Sequence, residues 1–589
     1  MSDSVLIRGA FIRLTKVIIL ASAAYSTFGL CLNQQAPPQN LVNQTKPNIL
    51  LIVADDMGFS DIGSFGGEIS TPNLDTLASD GGLKLTNFHV APTCSPTRSM
   101  LMSGTYNHLA GLGAMAEWVA DNQRNKPGYE GYLNERVAPL PALLKDAGYH
   151  TFMAGKWHLG MLDGQGPDSH GFDESFAMLP GAGDHYSDRG LFPFMAKTPY
   201  RENGKGVTLP EKFYSTEFYS DKAIQYIDEA IKGKEQPFFG YLAYTAPHWP
   251  LQVDKKYSDK YKGKYSAGYE HIKAARLEKL ADLGLIDTHG THGSGNACYP
   301  QWQQLSSVEQ AKQARLMEIY AGMVDALDEN IGRVVQHLKD IGQFDNTLIV
   351  FLSDNGADAR PEQGLADEAK YVQKTFDNSM QNMGSANSFV SYGGAWAQVS
   401  NTPFSLHKGM VNEGGIRVPA IIRLPKHQTS ENNESQTLTE FTSVMDLLPT
   451  FIDLAGGKLP GTEYKGREVL PVAGKSILPY LRGEQDYVHK NEAYGFSVHG
   501  RQGLQYNQWK LVRLPAPFAK GQWQLYNLDE DLGETRDLAR QQPKKLREMI
   551  ARWDSFAKET GVIISDKNVK TPKECLIEQR SELVSQVYE

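Results

Sequence analysis

The chain has little cysteine: Cys31, Cys94, Cys298 and Cys575 are the only four in 589 residues. So few thiols exclude a disulfide-built scaffold, and none stands at CxxC spacing, which excludes a zinc knuckle. The fold must rest on a hydrophobic core. No long basic run occurs and the formal charge is only -9. Nothing therefore favours nucleic acid or another polyanion, and a small-molecule partner is expected. Internal repeats and low-complexity tracts are also missing, which excludes solenoids and disordered linkers. What remains, 41% hydrophobic and 22% charged residues with 55 Gly and 30 Pro, is a globular composition with many loops. The length suits one large α/β unit plus a smaller one.

Three positive charges stand near the start. Arg8, Arg13 and Lys16 precede the apolar stretch Val17 to Leu32, and no charge follows until Lys46. Residues 1–32 have the layout of an export signal, with Ala21-Ser22-Ala23 as a candidate cleavage site. An exported, periplasmic protein is expected. Ser22, Ser26, Thr27 and Gly29 dilute a segment already shorter than a spanning helix needs, so a retained membrane anchor is the lesser alternative, beside full secretion. Cys298 and Cys575 could pair outside the cytoplasm or stay free.

From Lys46 to about Gly456 short β-rich runs alternate with amphipathic helices, which predicts an α/β domain over 46–456: a large, mostly parallel sheet sandwiched by helices. The predicted strands are Asn48 to Val53, His150 to Ala154, Phe238 to Ala243, Thr347 to Leu352 and Val418 to Arg423. Apolar residues from Leu316 to Leu338 repeat at helical spacing, and a second helical face runs from Val137 to Leu144, ended by Gly148. After Gly456 the runs Ala493 to Val498, Trp509 to Arg513 and Trp523 to Leu528 predict a smaller C-terminal α+β domain, 457–589, with an antiparallel sheet and a helix from Pro543. Asp254 to Ser306 and Pro361 to Thr402 are long insertions of the kind that shape substrate access.

Four predicted strands end in polar clusters: Asp55-Asp56, Lys156-Trp157-His158, Pro247-His248 and Asp354-Asn355. Ligands of open α/β sheets bind at the carboxyl ends of strands. Each cluster alone would read as turn chemistry, but four together point to a site. Asp55, Asp56, Asp354 and Asn355 offer only oxygen, which suits Ca2+, with Mg2+ as a second choice, rather than zinc. Three carboxylates and one divalent ion leave -1, so an oxyanion substrate calls for cations, and Arg98, Lys156, Lys408, His158 and His248 are the candidates. Pro96 holds Ser95 extended and suits a first helical turn. Ser95 is therefore the predicted N-cap, with Cys94 at the N-terminus of a helix, a natural anion site. A soft thiolate is a poor mate for a hard, carboxylate-held cation, which argues for conversion of Cys94 to an oxygen nucleophile.

Cys94-Ser95-Pro96-Thr97-Arg98 resembles the Cys-x-Pro-x-Arg signal of the formylglycine-dependent (type I) sulfatases of the alkaline-phosphatase superfamily. So do Ala54 to Gly58, Thr71 to Asp75, Gly155 to Gly160, Thr245 to His248, Ser353 to Gly356 and Glu413 to Arg417, in family order. The chain looks most like the bacterial arylsulfatases, whose lysine ahead of the Glu-Gly-Gly stretch matches Lys408. The resemblance implies an alkaline-phosphatase-like fold and a sulfuric ester hydrolase matured by a formylglycine-generating enzyme. Cys94 becomes formylglycine (3-oxoalanine), whose hydrate attacks the sulfur of a small-molecule sulfate ester. One Ca2+ is implied on Asp55, Asp56, Asp354, Asn355 and residue 94. Asp354 acts as base, Arg98 steadies the nucleophile, and Lys156 and Lys408 hold the sulfate. His248 contacts the ester and protonates the leaving alcohol, and His158 takes the proton that releases sulfate.

A phosphonate monoester or phosphodiester hydrolase of the same superfamily is the alternative function. The natural alcohol and the oligomeric state are not legible. His289 and His292 stand in a Gly-rich stretch without further ligands and read as a solvated loop. Trp118, Trp249 and Trp396 are either core residues or stacking platforms for a ring, Trp249 being favoured by its position after His248.

Overall fold

The computed structural model describes residues 46–233, 236–287, 299–361, 368–428, 435–516 and 518–566. The predicted export segment, Cys31, Cys298, Cys575, His289 and His292 lie outside them. The described residues form one compact unit.

Its centre is a mixed sheet with eleven strands among the described residues. The long ones are β1 (Asn48–Ala54), β2 (Gly82–His89), β3 (His150–Lys156), β4 (Glu174–Met178), β5 (Phe238–Ala243), β6 (Thr347–Ser353) and β7 (Arg417–Arg423). They lie in the order β2-β7-β6-β1-β5-β3-β4, with short strands at both edges. β1 pairs in parallel with β5 and β6, and β3 with β5 and β4. β1 (NILLIVA) and β6 (TLIVFLS) are buried throughout, as unbroken apolar runs require when helices cover both faces. Alternate residues feed two cores: Leu50 and Ile52 join helix Ser307–Asp340 on one face, while Ile49, Leu51 and Val53 join helices Cys94–Ser103 and Leu447–Leu454 on the other.

The chain departs from the predicted elements in informative places. β7 runs antiparallel to both neighbours, β6 and β2. Strand β2 was not predicted, because GLKLTNFH mixes Gly, Lys and Asn into its apolar positions. The long helix starts at Ser307, nine residues before its first predicted apolar residue, closed by a capping box of Ser306 and Glu309. Val137 precedes its helix, which begins at Leu140 behind Pro139. After Gly456 a four-stranded antiparallel sheet forms from β8 (Ala493–Val498), β9 (Arg501–Tyr506), β10 (Trp509–Arg513) and β11 (Trp523–Asn527), and helix Pro543–Thr560 packs on it through Met549, Trp553 and Phe556. No helix among the described residues is long and apolar enough to cross a membrane.

Candidate active site

Two antiparallel steps, β6 to β7 and β7 to β2, leave β2 pointing the same way as β1. Its carboxyl end therefore delivers Cys94 to the sheet edge that already carries Asp55 and Asp56 after β1, Lys156 at the end of β3, His248 after β5 and Asp354 and Asn355 after β6. β7 runs the other way, so the segment ahead of it brings Lys408 to the same edge.

The helix bearing Cys94 begins two residues earlier than Ser95 capping would allow. Cys94 is its first residue and Thr93 (φ -149°, ψ 160°) the N-cap, with Thr97 N–H donating to the Thr93 carbonyl at 3.1 Å. Pro96 does not prevent this, since the N–H groups of a first turn have no helical partner to lose. The Cys94 thiol meets Asp55 Oδ1 at 3.5 Å and Asp56 Oδ1 at 3.7 Å. Burial, with Asp354 nearby, pushes that thiol far above its ordinary pKa. As an unmodified cysteine it is a protonated and weak nucleophile.

Two of the three carboxylates converge with the thiol and an imidazole, while Asp354 stands outside that group. Ligand atoms of Asp55, Asp56, Cys94 and His248 all lie within 4.8 Å of one another. Asn355 donates to Asp56 Oδ1 at 2.6 Å while its own Oδ1 is buried without a hydrogen-bond partner. An orphan oxygen beside the Asp56 carboxylate suits a hard cation, while His248 brings a nitrogen donor that the sequence reading did not count among the ligands. Asp56 sits in the left-handed region at φ 67°, strain held by the bond from its N–H to Asp354 Oδ1 at 3.2 Å.

Three cations oppose the three acids. Lys156 reaches both Asp55 oxygens at 2.7 and 2.8 Å, and Lys408 reaches Asp56 at 2.8 Å. Arg98, one turn into the helix, points at Asp354 Oδ2 with two donors at 2.7 and 2.9 Å, and also reaches the Lys156 carbonyl and the Tyr241 hydroxyl. Burial raises Asp55 to about 6 despite Lys156. Burial also acts on Asp354, but Arg98, Lys156 and Lys408 outweigh it and hold that carboxyl below its usual range.

His248 Nδ1 faces the Trp249 carbonyl at 2.6 Å, which makes it the donor and turns Nε2 to Asp56 Oδ2 at 3.4 Å. Burial, then Lys408 and Lys156, lower its pKa well below the histidine norm. His158 (φ 55°) sits over Gly181, where any Cβ would strike its ring at 2.5 Å, and directs Nε2 to Glu117 at 3.2 Å.

Sequence reasoning missed two acids here. Asp358 accepts from Trp249 Nε1 at 2.8 Å and lies 3.4 Å from Lys408; it follows Asn355 in the same loop, which was signal enough. Glu117 stands on a single 3-10 turn 41 residues from His158, with no local signal. Trp118 and Trp249 line the cavity above Cys94, whereas Trp396 is core, packed edge-on against Tyr265 and Tyr269.

A buried oxyanion-binding floor with convergent carboxylates, at the carboxyl edge of a sheet covered by helices, defines a metal-assisted ester hydrolase. The family model "Sulfatase" matches residues 47–457, and "N-sulphoglucosamine sulphohydrolase, C-terminal" matches 405–554. An uncharacterized sulfatase of Schizosaccharomyces pombe is 44% identical, over 88% of this chain and 94% of its own length. An arylsulfatase of Klebsiella aerogenes is 39% identical over 74% and 92%. Among solved structures, Ps i-CgsB superposes with a TM-score of 0.61 at 26% identity, covering 92% of this chain and 99% of that one. The chain belongs to the sulfatase family and is an enzyme that hydrolyses sulfate esters.

Proposed function

We propose that the chain acts as a type I sulfatase, with Cys94 matured to formylglycine and one Ca2+ held by Asp55, Asp56, Asp354, Asn355 and residue 94. The carrying observation is the Cys94 thiol, buried in contact with Asp55 and Asp56 at the first turn of a helix, where burial and then Asp354 oppose its ionisation. A hydrated aldehyde in its place supplies an oxygen nucleophile, and the cation makes that nucleophile more acidic.

The chain's own groups then divide the work. Arg98 keeps Asp354 ionised, so that carboxylate can accept a proton from residue 94. Lys156 and Lys408 pair with Asp55 and Asp56, and with a cation on those carboxylates they would be free to hold sulfate oxygens. His248 Nε2 faces the pocket and protonates the departing alcohol when the ester's negative charge favours its imidazolium. His158, oriented by Glu117, moves the proton that frees sulfate. Maturation requires a formylglycine-generating partner, and export through residues 1–32 to the periplasm belongs to the same proposal.

Mass spectrometry of the tryptic peptide ending at Arg98, from active protein, tests the nucleophile; active protein carrying only cysteine there would overturn it. Metal analysis that returned stoichiometric, activity-linked zinc would overturn the calcium assignment. Rates on 4-nitrophenyl sulfate and on a phosphodiester, side by side, decide against the phosphodiesterase alternative if the sulfate is turned over faster.

A further inference from the structure

The cavity above Cys94 encloses about 780 Å³, far more than a sulfate group fills, and its outer wall differs in kind from its floor. Cys94, His158, His248 and Lys408 form the floor. Met161, Leu162, Phe192, Phe194, Met195 and Trp249 form much of the wall. Three of these are large, apolar and open to water: Met161 is 44%, Leu162 68% and Phe194 79% exposed. A lone exposed apolar side chain needs no explanation, but three on the rim of one cavity, continuous with a catalytic floor, mark a binding surface. Phe194 lies in the turn of a hairpin, Arg189–Phe192 with Met195–Lys197, its ring stacked on Phe192 at 5.2 Å. Phe192 meets Trp249 edge-on at 6.1 Å, so aromatic surface runs without a break from the neighbour of His248 to solvent.

Charged groups on the same wall already have protein partners. Arg360 pairs with Glu368 and stacks on Trp249 at 3.9 Å, Asp358 accepts from Trp249, and Arg501 donates to the Gly409 carbonyl at 2.7 Å. A sugar needs free donors and acceptors to replace the water around its hydroxyls, whereas an apolar body needs only area withdrawn from water.

We propose that the alcohol released here is large and apolar, a long aliphatic chain or a fused-ring skeleton, seated along Met161, Leu162, Phe192, Phe194 and Trp249. The proposal rests on the sulfatase reading: water is consumed, the ester S–O bond breaks, sulfate and a proton are released, and the alcohol leaves protonated.

The test uses the full chain with matured residue 94 and a panel of ethyl, butyl, octyl and dodecyl sulfates below micelle concentration, a sterol sulfate, glucose 6-sulfate and 4-nitrophenyl sulfate. The expected result is a kcat/KM that climbs about twofold to fourfold per added methylene until the rim is covered. Phe194→Ser and Leu162→Ser should flatten that climb, so that dodecyl sulfate loses far more than ethyl sulfate; both side chains are mostly exposed and support no core. A climb confined to the alkyl series, or preference for the sterol ester, identifies which apolar body fits. A flat alkyl series with a slow sterol ester, or glucose 6-sulfate turned over faster than dodecyl sulfate, overturns the inference while the sulfatase reading stands on 4-nitrophenyl sulfate. No turnover of any ester overturns both.

Discussion

Two buried clusters of charge lie on either side of the short segment Lys408 to Glu413, and they do opposite things. At the active site Asp55, Asp56 and Asp354 crowd together under Lys156, Lys408 and Arg98, with an unpartnered Asn355 oxygen among them. At the junction with the C-terminal sheet, fully buried Glu413 accepts from Lys510 at 2.8 Å, faces His89 at 3.0 Å and lies 3.5 Å from Arg417. Glu534 caps the arrangement by accepting the Glu413 N–H at 2.9 Å. Burial opposes ionisation of Glu413, yet Lys510 and His89 outweigh it and keep its pKa well below normal. At the active site three acids and three cations face an open cavity, where a ligand can exchange partners with them; at the junction the pairs are closed off from water and tie the C-terminal sheet to the rest of the unit. Convergence and access, rather than burial or charge, separate a site from a strut.

The largest contrast should come from Cys94→Ala. Turnover of 4-nitrophenyl sulfate should fall about 10⁵-fold or more while the melting temperature hardly moves, since the nucleophile is removed and only a small buried group is lost. Retained activity would remove Cys94 from the mechanism. Lys510→Met should do the reverse, with urea unfolding showing a loss of about 3 kcal/mol or more because Glu413 is left buried without its main partner. Specific activity of the molecules still folded should be unchanged. A catalytic defect at full stability would mean the junction is part of the site.

His248→Ala should lower kcat/KM ~100-fold on an alkyl sulfate and distinctly less on 4-nitrophenyl sulfate, whose phenol leaves without a proton. Equal losses on both would assign His248 to holding the sulfate. Glu117→Gln keeps a hydrogen-bonding group beside His158 but no charge, and should cost about tenfold in kcat with KM changed less. Glu117→Asp should recover part of that; a fall in stability without a kinetic effect would make Glu117 a strut as well.

The smallest effect is a pH dependence at the junction. His489 is buried, which by itself would lower its pKa, but Asp446 at 2.9 Å and Glu492 at 3.0 Å raise it above the ordinary value. A raised histidine pKa contributes stability that is complete below the unfolded value of about 6.5 and is lost as pH rises through the folded one. Chemical denaturation at a series of pH values should show that decline, and Asp446→Asn should weaken it, leaving only the contribution of Glu492.

Much of this was legible along the chain. Unbroken apolar runs ending in Asp-Asp, Asp-Asn or Lys-Trp-His mark buried parallel strands and their carboxyl ends, because each pattern reflects local burial and turn chemistry. The motifs from Cys94 to Arg98 and from Asp55 to Gly58 pointed to the sulfatase family in the same way. Other features needed the folded chain. Strand β2 has no clean period, and its place beside β7 comes from pairing, which also decides that Cys94 faces Asp55. Arg98 is adjacent to the anion site in sequence, yet its donors go to Asp354, a partner 256 residues away. The Glu-Gly-Gly stretch matched a family motif without revealing its role, and in the folded chain Glu413 points to Lys510, away from the site. Glu117 and the Phe194 rim could not be read in advance at all. A motif encodes which atoms are present; distance and solvent access between remote segments exist only once the sheet order is set, and those two quantities decided which charges bind a ligand and which hold the protein together.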